Sequence, residues 1–270
     1  MLKQEHEKVA NPIVYSCYYT RSREGEQFVQ EHVFSYQISG TLILNDGSRE
    51  YAINPGDFRF CRRNTLLKFN KLPPAGGEFN SISIYLDQKT LRDFCAEYGY
   101  SAAGHHAGNA VLQLKPSAMF KGFVDSLMPY EQQIKQYGSN VGLLSLKIKE
   151  AIMILLQSDP GLKDILFDFS EPGKIDLEAF MNKNFHFNVQ LKRFAYLTGR
   201  SLATFKRDFE KIFNNTPSRW LLQRRLQEAW YQIKEKGKAP SDVYLDLGFE
   251  DLSHFSFAFK KTFGVAPSKI

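Results

Sequence analysis

The residues with the means for specific recognition are polar and basic side chains set between phenylalanines at helical spacing. Phe205, Phe209 and Phe213 step by four, and Ala203, Thr204, Lys206 and Arg207 fall in the intervals. Aromatics at that spacing form one buried stripe of a helix, so the intervening residues face outward, where they can touch a base edge. Further along, Phe255, Phe259 and Phe263 repeat the stripe, with Leu252, Ser253, Ser256 and Phe257 as the outward set. Pro217 and Pro267 extend the correspondence, and all four pairs lie 50 residues apart in number. A spacing kept through so many anchors is an internal repeat.

Each copy needs elements to hold its outward face. Phe194–Leu197 and Val243–Leu247 are apolar helical stretches, each followed by a glycine, Gly199 or Gly248, where the chain must turn. Glycine reaches positive φ without a Cβ penalty, and a turn between two short helices is the helix-turn-helix plan. Ser201, and Asp251 or Ser253, are good N-caps for the second helix of each copy. Between the copies, Pro217 to Lys236 reads as one helix of about 30 Å, with Pro in its first turn and Gly237 after its end. Successive major-groove faces on one side of B-DNA lie about 34 Å apart, so such a rod sets two reading helices into adjacent grooves. Trp220, Leu221, Leu226, Ala229, Trp230 and Ile233 are its expected core contacts.

The charge distribution agrees. The chain has 270 residues and a net charge of +6. Residues 1–170 carry 18 Lys+Arg and 18 Asp+Glu, whereas residues 171–270 carry 17 and 11, so the whole excess sits on the part that holds the repeat. A basic module joined to a neutral one fits a nucleic-acid-binding half and a sensing or pairing half. Apolar runs are too short to span a membrane, and the polar start Met1-Leu2-Lys3-Gln4-Glu5 is not that of a signal peptide. Cys17, Cys61 and Cys95 are an odd, scattered set, expected as reduced thiols of a cytoplasmic protein.

Residues 1–86 alternate as strands: Pro12–Thr20, Glu31–Ser39, Gly40–Leu44, Arg49–Ile53, Phe58–Cys61, Thr65–Lys71 and Phe79–Leu86. Asp46-Gly47 is expected as a tight hairpin turn. The run Ser39-Gly40, Asp46-Gly47, Tyr51, Pro55-Gly56-Asp57 resembles the cupin barrel. Many cupins hold a catalytic metal through two histidines one residue apart, and no His-x-His occurs here. His32 is expected as a half-buried strand residue, and adjacent His105-His106 would point to opposite sides of a strand. No metal, no cofactor and no catalytic group are therefore expected; neither Gly-x-Ser-x-Gly nor a Gly-rich phosphate loop is present. The barrel interior, lined by Tyr, Phe and Arg, can take a small organic ligand. Helices follow at residues 88–98, 117–137 and 141–157, the last apolar on more than one face and a candidate surface for homodimerisation. The expected division is a cupin-like regulatory or dimerisation domain at 1–160, a linker at 161–174 and a helical DNA-binding domain at 175–270. The fold class is α+β.

Residues 175–270 resemble the DNA-binding domain of the AraC family of transcription regulators. The carrying residues are Leu191, Ala195, Gly199-Arg200-Ser201, Phe205-Lys206-Arg207-Asp208-Phe209, Thr216-Pro217, Trp220-Leu221, Arg225-Leu226, Ala229, Leu247-Gly248-Phe249-Glu250-Asp251, Ser253-His254-Phe255, Phe259-Lys260-Lys261, Phe263-Gly264 and Pro267. The first half is similar to the barrel half of the same family, and His32–Tyr36 with Asp57–Asn64 resembles activators of secretion systems. The resemblance implies a sequence-specific activator that binds double-stranded DNA, contacts RNA polymerase, pairs as a homodimer and answers to a small-molecule or protein effector. It also implies Ala203, Thr204, Lys206, Arg207, Leu252, Ser253, Ser256 and Phe257 as base-reading positions, the set already reached from spacing. Arg207 suits guanine O6 and N7, and Lys206 a phosphate or guanine. Arg200, Arg219, Arg224 and Arg225 are expected on backbone phosphates. Two positions depart from the family: Phe257 where a basic residue is usual, and Tyr244 where a small alanine is usual. The second copy also lacks Lys and Arg between Pro240 and Phe259. The first copy is therefore expected to carry most of the base specificity.

Overall fold

In the computed structural model, residues 12–23, 27–105, 108–131 and 141–270 are described. The chain divides into two compact units, one formed by most of the described residues up to Ser170, the other by residues 171–270 with two short pieces, 27–28 and 66–68.

The described residues contain ten strands, which apart from Phe28, Leu66 and Lys68 belong to the first unit: β1 (Ile13–Tyr18), β2 (Phe28–Val29), β3 (His32–Ser39), β4 (Thr41–Asn45), β5 (Glu50–Ile53), β6 (Phe58–Cys61), β7 (Thr65–Leu66), β8 (Lys68–Leu72), β9 (Phe79–Leu86) and β10 (Val111–Leu114). They form a five-stranded sheet in the order β1-β9-β3-β6-β10, a three-stranded sheet β5-β4-β8 and a short β2-β7 pair. The chain leaves the larger sheet at Gly40, whose φ of +73° and approach to the Leu72 carbonyl exclude a side chain. It returns through the Pro55-Gly56-Asp57 turn, which is tied to β3 by bonds from Gln37 N to Asp57 O and from Gly56 N to Gln37 O. The expected two-residue turn at Asp46-Gly47 is instead a longer connection, with Asn45 paired to Glu50. The Asp46 carboxylate accepts from the backbone N–H of Ser48 and Arg49, which stabilises that wider loop.

One face of the five-stranded sheet presents Phe34, Phe58, Phe60, Ile82 and Ile84 to helices. These are α1 (Gln88–Tyr98), α2 (Ala118–Leu127), α3 (Val141–Ser158) and α4 (Leu162–Leu166). Helix α1 begins on the Asp87 side-chain cap and stops at left-handed Gly99, the end expected from sequence. The expected helix from Ser117 runs only to Leu127 as a regular element, and residues 132–137 of it lie outside the described residues. The linker expectation needs correction: Leu162, Ile165, Leu166 and Phe167 are buried in the first unit's core, so residues 161–170 belong to that unit. Arg63 holds the end of this stretch, donating from Nη2 to the carbonyls of Asp168 and Ser170.

The second unit is helical: α5 (Leu177–Asn184), α6 (Leu191–Leu197), α7 (Leu202–Phe213), α8 (Pro217–Lys234), α9 (Pro240–Asp246), α10 (Leu252–Phe263) and a 3-10 turn at Pro267–Lys269. A single core runs through it from Leu177 and Met181 to Phe255 and Phe259. At 18 residues α8 is about 27 Å long, slightly shorter than the sequence indicates, and it packs against helices of both repeat copies.

Candidate nucleic-acid interface

The two copies are built alike down to individual hydrogen bonds. At the end of α6, Gly199 N donates to Tyr196 O and Arg200 N to Ala195 O; at the end of α9, Gly248 N donates to Leu245 O and Phe249 N to Tyr244 O. This paired pattern is the Schellman closure, which places its glycine at positive φ, here +64° and +82°. Crowding reinforces the requirement. A Cβ on Gly199 would stand 2.4 Å from the Gly173 carbonyl carbon, and one on Gly248 would stand 2.8 Å from the His186 carbonyl oxygen. The next helix of each copy starts on a side-chain cap, Ser201 accepting from Thr204 N and Asp251 from His254 N. Asn214 and Gly264 close those helices in the left-handed region.

The inward stripes lock α7 and α10 onto α8. Phe209 and Phe213 pack on Trp220, with ring centroids 5.5 and 4.6 Å away. Phe259 and Phe263 pack on Trp230 at 5.9 and 4.7 Å. Both tryptophans lie against the core, as expected from their helical spacing. Tyr244, the bulky residue at a position of usual alanine, is accommodated half-buried with its ring 6.5 Å from that of Phe255.

On the outward side of α7, Ala203, Lys206 and Arg207 are exposed and Thr204 is half-buried, its hydroxyl accepting from Ser201 Oγ. The Arg207 side chain is 66% exposed, with its Nε 3.7 Å from Asp208. On α10, Leu252, Ser253 and Phe257 are exposed and Ser256 is half-buried. Phe257 is 69% exposed, a large apolar side chain standing off the helix surface one turn before Lys260 and Lys261.

The four arginines expected on phosphates divide. Arg219 is exposed. Arg224 is half-buried, near Glu228 and over the Phe185 ring at 4.5 Å. Arg225 turns inward: Nε, Nη1 and Nη2 donate to the carbonyls of Phe185, Gly248 and Phe187. Burial pulls its pKa down to about 10, still far above neutrality. Nη1 joins α8 to the second turn while Nε and Nη2 join it to the segment after α5, and the phosphate expectation for Arg225 is corrected to an internal clamp. Arg200 is corrected in the same way, being only 7% exposed, paired with Asp208 at 3.1 Å and bonded to the carbonyls of Ile175 and Thr198. No sequence pattern separates these two from Arg207 and Arg219, since all four sit on amphipathic helices or their turns.

Among the described residues no helix is long and apolar enough to cross a membrane, and no group of His, Cys, Asp and Glu has the geometry to hold a metal ion. His32 is buried and stacked on Phe60, and its Nδ1 accepts from Arg63 N, while His105 bonds Asp168. His106 lies outside the described residues.

Comparison with known proteins gives two family matches. Residues 194–270 match a helix-turn-helix domain, and residues 32–165 match the ExsA N-terminal regulatory domain. The transcriptional activator NphR of a Rhodococcus species is 34% identical over 271 aligned residues, covering 96% of this chain and 73% of that protein. The virulence regulon transcriptional activator VirF of Yersinia enterocolitica is 29% identical over 241 residues, 86% of each chain. The transcriptional regulator ExsA of Pseudomonas aeruginosa is 23% identical over 238 residues, 86% of this chain and 83% of its own.

Proposed function

The chain belongs to the AraC family of DNA-binding transcription regulators, and we propose that within it the first helix-turn-helix copy supplies most of the base specificity. The observation that carries this reading is the contrast between the two outward faces. Helix α7 offers an extended, exposed guanidinium at Arg207 beside Lys206, with Ala203 and Thr204 completing the face. Helix α10 offers Leu252, Ser253, Ser256 and Phe257. An arginine distinguishes guanine through two donors, whereas an apolar group senses only the thymine methyl. Arg219 and Arg224 serve as phosphate contacts, and Arg219, the more exposed, is the stronger of the two.

In this reading the protein is an activator, as NphR and VirF are named, acting in the cytoplasm on double-stranded DNA and RNA polymerase without catalytic chemistry of its own. The first unit is its regulatory half, taking a small effector on the interior side of its sheets. A second role for the same unit, pairing of two copies, is favoured by Leu146 and Met153, which stand exposed seven residues apart in number on α3. Selection of bound sequences from a random DNA pool tests the base-reading assignment. Arg207→Ala is expected to erase preference at one or two guanine positions, and Phe257→Ala to weaken preference at a thymine only. Intact site preference in Arg207→Ala, with preference lost in a Ser253/Ser256 double alanine variant, would overturn the assignment.

A further inference from the structure

The face of the five-stranded sheet turned away from the helices holds a cation with no counter-charge among the described residues. Alternation along β6 sends Phe58 and Phe60 into the helix-covered core, and therefore Arg59 and Cys61 to the opposite face. Arg59 stands opposite Ser35 of β3, and Ser35 stands opposite Ser83 of β9. Gln37 lies two residues further along β3 on the same face. Arg59 is 5% exposed, and Ser35 and Gln37 are fully buried.

This is a polar interior whose hydrogen bonds do not close. Ser35 and Ser83 satisfy each other through their hydroxyls at 3.0 Å. Gln37 spends its amide on the carbonyls of Ser39 and Asn80, which leaves its Oε1 buried and without a donor. Nε and Nη1 of Arg59 are buried and without an acceptor. Among the described residues, the ionisable groups around the guanidinium are Cys61 and Tyr85. Burial pushes both of their pKa values upward, so both stay neutral and neither balances the charge. Arginine does not release its proton in proteins, and a buried charge is costly unless an anion meets it.

We propose that this face is a ligand site for a small organic carboxylate, held on the guanidinium of Arg59, with a hydroxyl of the same ligand donating to Gln37 Oε1. The proposal rests on the first unit being the regulatory half, and it supplies the chemical class of the effector. Positions diagonal across neighbouring strands lie about 7–8 Å apart, a span one small hydroxy acid can bridge. The two unsatisfied groups are complementary to opposite ends of such a molecule. A thiol or phenol ligand would leave the positive charge unmet.

The test is thermal unfolding of the full chain in sodium acetate, compared with sodium chloride and with acetamide at matched ionic strength. Acetate is the smallest carboxylate the site must admit. The wild-type midpoint is expected to rise by roughly 2–4 °C in acetate over both controls, and further in glycolate, which adds the hydroxyl. Gln37→Leu is expected to lose the extra glycolate gain and keep the acetate response. Arg59→Met is expected to show no acetate response while melting at or above the wild type in chloride, because an apolar side chain relieves an unmet buried charge. Arg59→Lys, which retains the charge, is expected to keep part of the response. The proposal is overturned if wild type and Arg59→Met respond alike to acetate. It is equally overturned if Arg59→Met melts far below the wild type in chloride, which would mean that a carboxylate of the chain itself already holds the guanidinium. DNA affinity measured with and without glycolate separates the two levels. An intact acetate shift with unchanged DNA affinity upholds the site and removes the ligand-gated reading.

Discussion

Arg207 and Arg225 bear the same guanidinium to opposite ends. Arg225 spends its three nitrogens on carbonyls of Phe185, Phe187 and Gly248, so Arg225→Ala strands those buried acceptors. A loss of about 2–4 kcal/mol in chemical denaturation is expected. Arg207 projects into solvent, so Arg207→Ala is expected to change stability by less than about 0.5 kcal/mol, yet to cost about 1–3 kcal/mol of discrimination at its base. Similar unfolding curves for the two variants would contradict the division. Charge at these positions was legible in the chain; direction was not, because inward and outward arginines occur at like spacing on the same amphipathic pattern. Arg59 carried a clearer signal, since a lone cation between Phe58 and Phe60 on a strand must face away from them. His32 adds a residue-scale prediction. Burial, with the Arg63 and Arg62 charges beside it, pushes its pKa down to about 3 from 6.5. Between those values the unfolded chain binds more protons than the folded one, so stability falls as pH drops through the window. His32→Gln is expected to lose less stability than the wild type between about pH 7 and 4 in urea titrations. Equal losses would contradict it.

At the scale of elements, the repeat is fixed by two glycines, Gly199 and Gly248, that combine positive φ with a close approach, as Gly40 does and Gly237 does not. Gly199 combines positive φ with a carbonyl carbon 2.4 Å from any Cβ, whereas Gly237, at +65°, has open space around it. Gly237→Ala is expected to cost about 1 kcal/mol and Gly199→Ala about 3 kcal/mol or more, read from unfolding midpoints. Equal costs would show that φ alone matters there. The repeat was legible because stripes, caps and turn glycines recur in register, and each has a single physical use. The end of the first unit was less so. Ser158-Asp159-Pro160-Gly161 breaks α3 and looks like a boundary, but the apolar Leu162, Ile165, Leu166 and Phe167 fold back onto the core. Burial of those side chains outweighs the break, as each contributes about 1.5–3 kcal/mol. The Asp46 loop departs from a tight turn for a local reason, its carboxylate capping two amides and widening a turn that Asp-Gly alone would tighten.

For the molecule as a whole, the division of charge matches the division of structure. The neutral first unit encloses a polar sheet face and bears an exposed α3 stripe; the basic second unit presents the outward faces of α7 and α10, with α8, about 27 Å long, between the two copies. Leu146→Asp is expected to lower the weight-average mass in sedimentation if α3 pairs two copies, and an unchanged distribution would remove that role. Both helix-turn-helix copies of one chain are expected to engage successive turns of one duplex. Selection of bound DNA from a random pool with the wild-type chain tests it most directly. Two preferred blocks centred about 10–10.5 base pairs apart are expected, the stronger lost in Arg207→Ala and the weaker dulled in Phe257→Ala. A single preferred block, or none, would contradict it.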